Sequence, residues 1–310
     1  MDRNFWKPPM TRRVFSLWIG ELGIWEQHSL RSLGRWGNSV ILYSYSPIQD
    51  LPPGVTNLDA REILPESEIF RPEAHGKTFS GFSNQFRYRA LNQFRGIWVD
   101  LDIIARRPFP TSEYLYGVET LGRLNGAVLS YPPQSPLGIF LQEECEKRKS
   151  ADYAWGDLGP RLITEGVTKF DLWRHAEPIR AFYPVHFREV WKLFDPESRD
   201  LITQRAENSF AIHLWKNVFA GVPSEGAPLN SPPQESFLGR ELSGELSQAA
   251  RTNELDSTWA RREWRKTLFR FGPAFVLLLG RFADLLSWGW RIHRLVSMFQ
   301  TSGAKRRLTP

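Results

Sequence analysis

The chain has a single cysteine, Cys145, among its 310 residues. No internal disulfide can form, and a lone thiol fits a reducing compartment. Long apolar runs are also missing. The longest uncharged run near the C-terminus, residues 271–280, is bounded by Arg270 and Arg281. It falls well short of the roughly 20 apolar residues that a bilayer span needs. The opening residues hold no apolar signal core, so a cytoplasmic location is expected. Neither an internal repeat nor a low-complexity core is evident, which excludes solenoid architectures.

The body of the chain also lacks a strong charge of either sign. The net charge is +6, but residues 259–310 carry 11 Lys or Arg against Glu263 and Asp284, which is +9 and leaves −3 for the rest. A domain built to wrap nucleic acid would carry its positive charge on the folded body, so no nucleic-acid partner is expected. Aromatics, by contrast, are abundant: 13 Trp and 21 Phe. They suit either an aromatic core or a binding platform.

Along the chain, residues 14–20 (VFSLWIG) read as a buried strand and 21–36 as a helix stopped at Gly34 and Gly37. Residues 39–45 (SVILYSY) give a second strand. A third is expected near 56–64, after the turn at Pro52, Pro53 and Gly54. Phe82, Phe86, Ala90 and Phe94 recur every four residues and mark a helix face. Residues 97–104 (IWVDLDII) read as a further strand. This alternation predicts an α/β fold with a mostly parallel central sheet flanked by helices. Residues 1–220 are assigned to this domain. Residues 221–258, rich in Pro, Gly, Ser and Glu, are expected to be a linker. Residues 259–310 form a basic helical tail with Trp264, Leu268, Phe271, Phe275, Leu279, Phe282 and Leu286 on one stripe. Such a tail suits an anionic membrane surface, placing the protein peripherally on the inner face, or packing as a hairpin on the domain.

The chemistry centres on Asp100 and Asp102. On a strand, residues i and i+2 share a face while Leu101 points away, so both carboxylates would project together from an apolar element. Two adjacent carboxylates repel unless a cation intervenes, and a hard divalent ion such as Mn²⁺ or Mg²⁺ is their natural partner. It could also hold a diphosphate.

Residues 82–108, FSNQFRYRALNQFRGIWVDLDIIARRP, resemble the sugar-binding Asp-x-Asp region of glycosyltransferase family 32, which is related to the large bacterial glucosylating toxins. The resemblance extends from LWIG (17–20) through LYSY and DARE to WGDLGP and HLW (213–215), or roughly residues 14–220. It implies a GT-A fold, a metal-dependent nucleotide-sugar site (a UDP-sugar ahead of a GDP-sugar) and retention of anomeric configuration. It implies that Trp18, in the turn with Ile19 and Gly20, stacks on the donor base, with a core Trp as the alternative. Arg87 would hold donor hydroxyls or phosphate. Asn84 stands where the family usually has Asp, and Arg95-Gly96 where it has Gly-Gly. Trp98 belongs to the same donor segment.

The same resemblance implies that Asp100 contacts the ribose and, through water, the metal. Asp102 is a direct metal ligand, and His213 returns to the metal. Trp215 would donate its indole N–H to the leaving phosphate. Asn125, Asp157, Gly159 and Pro160 match segments near sugar and acceptor, and Asp157 could equally cap a helix. Glu119 is the one nearby carboxylate that could serve as a nucleophile, and front-face return without one is expected instead. The expected acceptor is a saccharide or a lipid-linked sugar of the cell surface. A metal-dependent phosphoesterase or nuclease, and a non-catalytic membrane-bound nucleotide-binding scaffold, are the alternatives.

Overall fold

The structure is a computed structural model and describes residues 12–71, 78–120, 122–149, 153–154, 156–216 and 232–243. Its centre is a seven-stranded sheet in the order β3-β2-β1-β4-β7-β6-β8. These strands are β1 Arg13–Leu17, β2 Ser39–Ser44, β3 Val55–Asp59, β4 Ile97–Val99, β6 Leu115–Thr120, β7 Arg123–Ser130 and β8 Ala176–Glu177. Neighbours pair in parallel except at β7, which runs antiparallel to both β4 and β6. The expected mostly parallel α/β fold is the one found.

Alternation along each strand feeds two cores, one on either face of the sheet. From β1 and β4, Val14, Ile97 and Val99 enter the first core with Trp25, Leu30 and Leu33 of α1 Ile24–Gly34. Phe15, Leu17 and Trp98 enter the second, against α2 Ser80–Gln93, α3 Pro136–Lys149 and α4 Leu162–Lys169. Phe82, Phe86 and Ala90 are wholly buried there, as their four-residue spacing predicts. Gly96, expected to preserve the turn before β4, is required by close approach. A Cβ at this position would strike the Phe15 ring and lie 2.9 Å from the Arg13 carbonyl oxygen.

Two expectations are corrected. Residues 97–104 are not one strand: β4 ends at Val99, Leu101 and Asp102 turn, and β5 Ile103–Ala105 leaves the main sheet to pair antiparallel with β9 Ala211–His213. The Ile103 amide donates to the Asp100 carbonyl at 3.2 Å and closes the turn, while buried Leu101 anchors it in the first core. Asp100 and Asp102 are therefore neighbours on a turn, not on a strand face. The stretch expected to be a linker also contains a docked element. Helix α7 Phe237–Leu242 buries Phe237, Leu238 and Leu242 in the first core, and the Ser236 hydroxyl caps it by accepting from the Gly239 amide at 3.0 Å. Its three apolar residues outweigh the Pro-rich flanks that suggest a linker. α5 Ile179–Phe182 and α6 Arg199–Ala206 complete this side. No described helix is long and apolar enough to cross a membrane, and the basic tail lies outside the described residues.

Candidate functional site

A cleft of about 420 Å³ opens beyond the carboxyl ends of β1 and β4. Strand order reverses at this place, since β1 leads outward to β2 and β3 while β4 borders β7. Crevices of this kind are where open α/β sheets bind ligands. Trp18, Ile19, Asn84, Arg87, Asp100, Asp102, Asn125, Pro160, His213 and Trp215 all line it, so most of the residues singled out from sequence meet in one place.

Helix α2 delivers Arg87, which is buried to 6% side-chain exposure. Its Nη2 donates to Asp100 Oδ1 at 2.6 Å and its Nη1 to Asn84 Oδ1 at 3.1 Å. The guanidinium also lies 5.2 Å from the Trp98 ring centre. Trp98 itself is buried behind the cleft, and its indole N–H donates to the same Asp100 oxygen at 2.6 Å. It supports Asp100 and does not itself line the cleft. Gly126 faces Arg87 so closely that a Cβ there would strike the guanidinium.

Asp102 is held by the other sheet. Its Oδ2 lies 3.1 Å from His213 Nε2 and accepts from the Lys216 amide at 3.0 Å. Burial alone would raise the Asp102 pKa, but the His213 charge and these hydrogen bonds prevail and lower it. The reverse holds for His213, where burial pulls down and Asp102 pushes up, with a net rise. Trp215 makes the Lys216 contact possible. Its φ of +57° is a left-handed conformation unusual for a bulky residue, and it turns the next amide back toward Asp102. The Trp215 ring stacks 4.0 Å from His213, while its indole N–H donates to the Val185 carbonyl at 2.9 Å. The resemblance assigns this N–H to the leaving phosphate; in the structure a backbone carbonyl accepts it.

Among the described residues, no three His, Cys, Asp or Glu side chains form a closed metal cage. His213 directs Nε2 to Asp102, so it acts here as a carboxylate partner. Each aspartate nevertheless has one oxygen held and the other, Asp100 Oδ2 or Asp102 Oδ1, without a bond from another described side chain. A hard divalent ion that takes one or two protein carboxylates, and completes its shell with phosphate oxygens and water, suits this donor set.

The weaker assignments divide. Asn125 lines the cleft, but its amide is spent on Glu119 Oε2 (2.8 Å) and the Ala127 amide (2.7 Å). Glu119 is buried outside the cleft lining, and burial raises its pKa against the opposing Asn125 bond. Asp157 accepts from the Ala154 amide at 2.7 Å and pairs with Arg161; the helix start here has no side-chain cap. Gly159 is set by packing, since a Cβ would lie 3.1 Å from the Asn84 amide. Gly20, with φ +105°, makes the turn that follows Trp18. Two charged cleft residues escape sequence reasoning: Lys216, directly after the HLW run, and Glu26, which lies on the inward face of α1.

A family model described as the alpha 1,4-glycosyltransferase conserved region matches residues 148–226. This region of the chain is similar to that of alpha 1,4-glycosyltransferases. It is 26% identical over 155 residues to the lactosylceramide 4-alpha-galactosyltransferase of Mus musculus, covering 46% of this chain and 43% of that protein. It is 24% identical over 184 residues to the alpha-1,4-N-acetylglucosaminyltransferase of Homo sapiens, covering 52% of each. The chain thus spans about half the length of the curated relatives it matches. Among solved structures it is similar to PaToxG glycosyltransferase, at 14% identity and TM-score 0.41 over 53% of this chain and 70% of that one. The family 32 resemblance read from residues 82–108 fits this glycosyltransferase assignment.

The Arg87–Asp100 pair should contribute to folding as well as to the cleft. Removing one partner of a buried pair costs about 3–5 kcal/mol, and less where one member is partly exposed, as Asp100 is at 29%. Arg87→Met should therefore lower stability by about 1–3 kcal/mol in urea denaturation. An unchanged midpoint would show that the pair is not what holds Asp100.

Proposed function

We propose that this chain transfers a sugar from a nucleotide-sugar donor to a saccharide or lipid-linked acceptor, with retention of configuration. The observation that carries the reading is the convergence of Asp100, Asp102, Arg87 and Trp18 on one cleft at the switch point of the sheet. Trp18 would meet the donor base, for which an indole face is worth about 1–3 kcal/mol. Arg87 would offer its planar fork to donor hydroxyls or phosphate. Asp100 and Asp102 would hold Mn²⁺ or Mg²⁺. Such an ion, once bound, supplies charge neutralisation for the departing diphosphate. A UDP-sugar is our preferred donor.

In the reaction, the bond from the anomeric carbon to the phosphate oxygen breaks and the acceptor oxygen bonds to that carbon on the same face. The acceptor proton passes to the leaving phosphate. Glu119, the carboxylate considered as a nucleophile, does not line the cleft. Its carboxylate is buried and tied to Asn125, which favours front-face return. A two-ion phosphoesterase or nuclease would need further carboxylates around Asp100, and the described residues offer no such cluster.

The relatives named above include a glycolipid galactosyltransferase, and the basic tail 259–310 would bring this chain to an anionic membrane carrying a lipid-linked acceptor. Full-length protein should co-sediment with phosphatidylserine vesicles at low salt, and a chain ending at Leu246 should not. Equal sedimentation of the two would remove the membrane role.

Asp102→Ala should reduce Mn²⁺-supported hydrolysis or transfer from a UDP-sugar at least 100-fold, while the far-UV circular dichroism stays that of the parent. Near-full activity in that variant, with a parent that is active, would remove Asp102 from the reaction.

A further inference from the structure

Glu26 is an unusual residue for the first turn of α1. Its side chain is 1% exposed, and Oε1 forms an ion pair with the Lys216 ammonium. Its other oxygen, Oε2, is buried without a hydrogen-bond partner. A buried carboxylate with one oxygen unmet is costly, and each such group in a native structure calls for an explanation. Lys216 is its cation and comes from the far side of the cleft, immediately after Trp215.

Lys216 is tied down twice and still faces open space. Its backbone amide is fixed on Asp102 at 3.0 Å, and its ammonium lies 5.1 Å from the Trp18 ring centre. The side chain remains 39% exposed and lines the cleft together with Glu26. An ammonium has three N–H donors, and Glu26 Oε1 takes one. The ammonium thus stands near the indole that would receive a base, while the backbone of the same residue is fixed on the carboxylate that would hold the ion. A diphosphate linking those two points passes this position.

We propose that Lys216 is the phosphate-contacting cation of the cleft and that buried Glu26 is the positioning residue that aims it. The proposal deepens the glycosyltransferase reading and rests on it for the identity of the ligand as a nucleoside diphosphate. Lys216 is suited to this task because its compact charge meets phosphate from several directions without the planar match that Arg requires. The geometry gives Glu26 no ligand contact. Its function is to keep the Lys216 stem folded along Trp18 instead of extended into solvent.

Calorimetric titration of the full chain with UDP and, separately, with uridine, both in Mn²⁺, tests this. Lys216→Met should weaken UDP binding about 10–100-fold, the range of a lost charge-assisted hydrogen bond, and leave uridine binding within about twofold. Lys216→Arg should restore most of the UDP affinity. Glu26→Gln should weaken UDP by a smaller factor and likewise spare uridine. Equal loss of UDP and uridine in Lys216→Met, or no loss of UDP, would overturn the proposal. A parent chain that binds neither ligand would overturn the underlying donor reading as well, a result distinct from a parent that binds UDP with or without Lys216.

Discussion

A carboxylate set beneath an apolar sheet edge persists only where a cation or an N–H group meets it, and this cleft satisfies that condition three times. Asp100 is met by Arg87 and Trp98, Asp102 by His213 and the Lys216 amide, and Glu26 by the Lys216 ammonium. Asp100 and Asp102 stand on the β4–β5 turn and Glu26 on α1, while Arg87, His213 and Lys216 reach them from other parts of the chain. The pairs therefore tie α1, α2, the β4–β5 turn and the end of β9 into one wall. They also give each carboxylate at least one cationic or N–H partner in the ligand-free protein.

The fold serves this arrangement. The main sheet ends β1 and β4 side by side, which brings Trp18 and Asp100 together. The small β5–β9 sheet then carries Asp102 and His213 back to the same opening, with Ile103 opposite His213 in register. A single left-handed residue, Trp215, converts the end of β9 into a donor for Asp102. Hydroxyls replace apolar side chains where α1 crosses the edge of β5. Ser29 donates to the Ile103 carbonyl at 2.7 Å, and Ser32 accepts from the Ala105 amide at 2.9 Å.

Those hydroxyls explain what was legible in the sequence and what was not. The order of strands and helices followed from period-2 and period-4 apolar spacing, because β1, β2 and α2 bury ordinary hydrophobic faces. Helix α1 gave only a loose pattern, since its inner face buries Glu26, His28, Ser29 and Ser32. Ser29 and Ser32 are met by residues more than 70 positions away, which no local rule detects. Asp100 and Asp102 stood out because acids interrupted an apolar run, although the reason they converge is a turn and not a shared strand face. Lys216 was invisible for the opposite reason: a lysine after an apolar run looks like a solvated strand end until the positive φ at Trp215 turns it inward. α7 was hidden by its flanks, where Pro and Gly outnumber the few apolar residues that dock.

The account stands on Asp100 and Asp102 jointly receiving an ion and the diphosphate bound to it. Thermal unfolding of the intact chain with a panel of UDP- and GDP-sugars, with and without Mn²⁺, addresses this directly, because a ligand that binds the native state raises its melting temperature. The account predicts a clear rise with a UDP-sugar that depends on Mn²⁺ and is lost when both aspartates are replaced by Asn. A melting temperature indifferent to every nucleotide-sugar, or a rise that survives removal of both carboxylates, would contradict it.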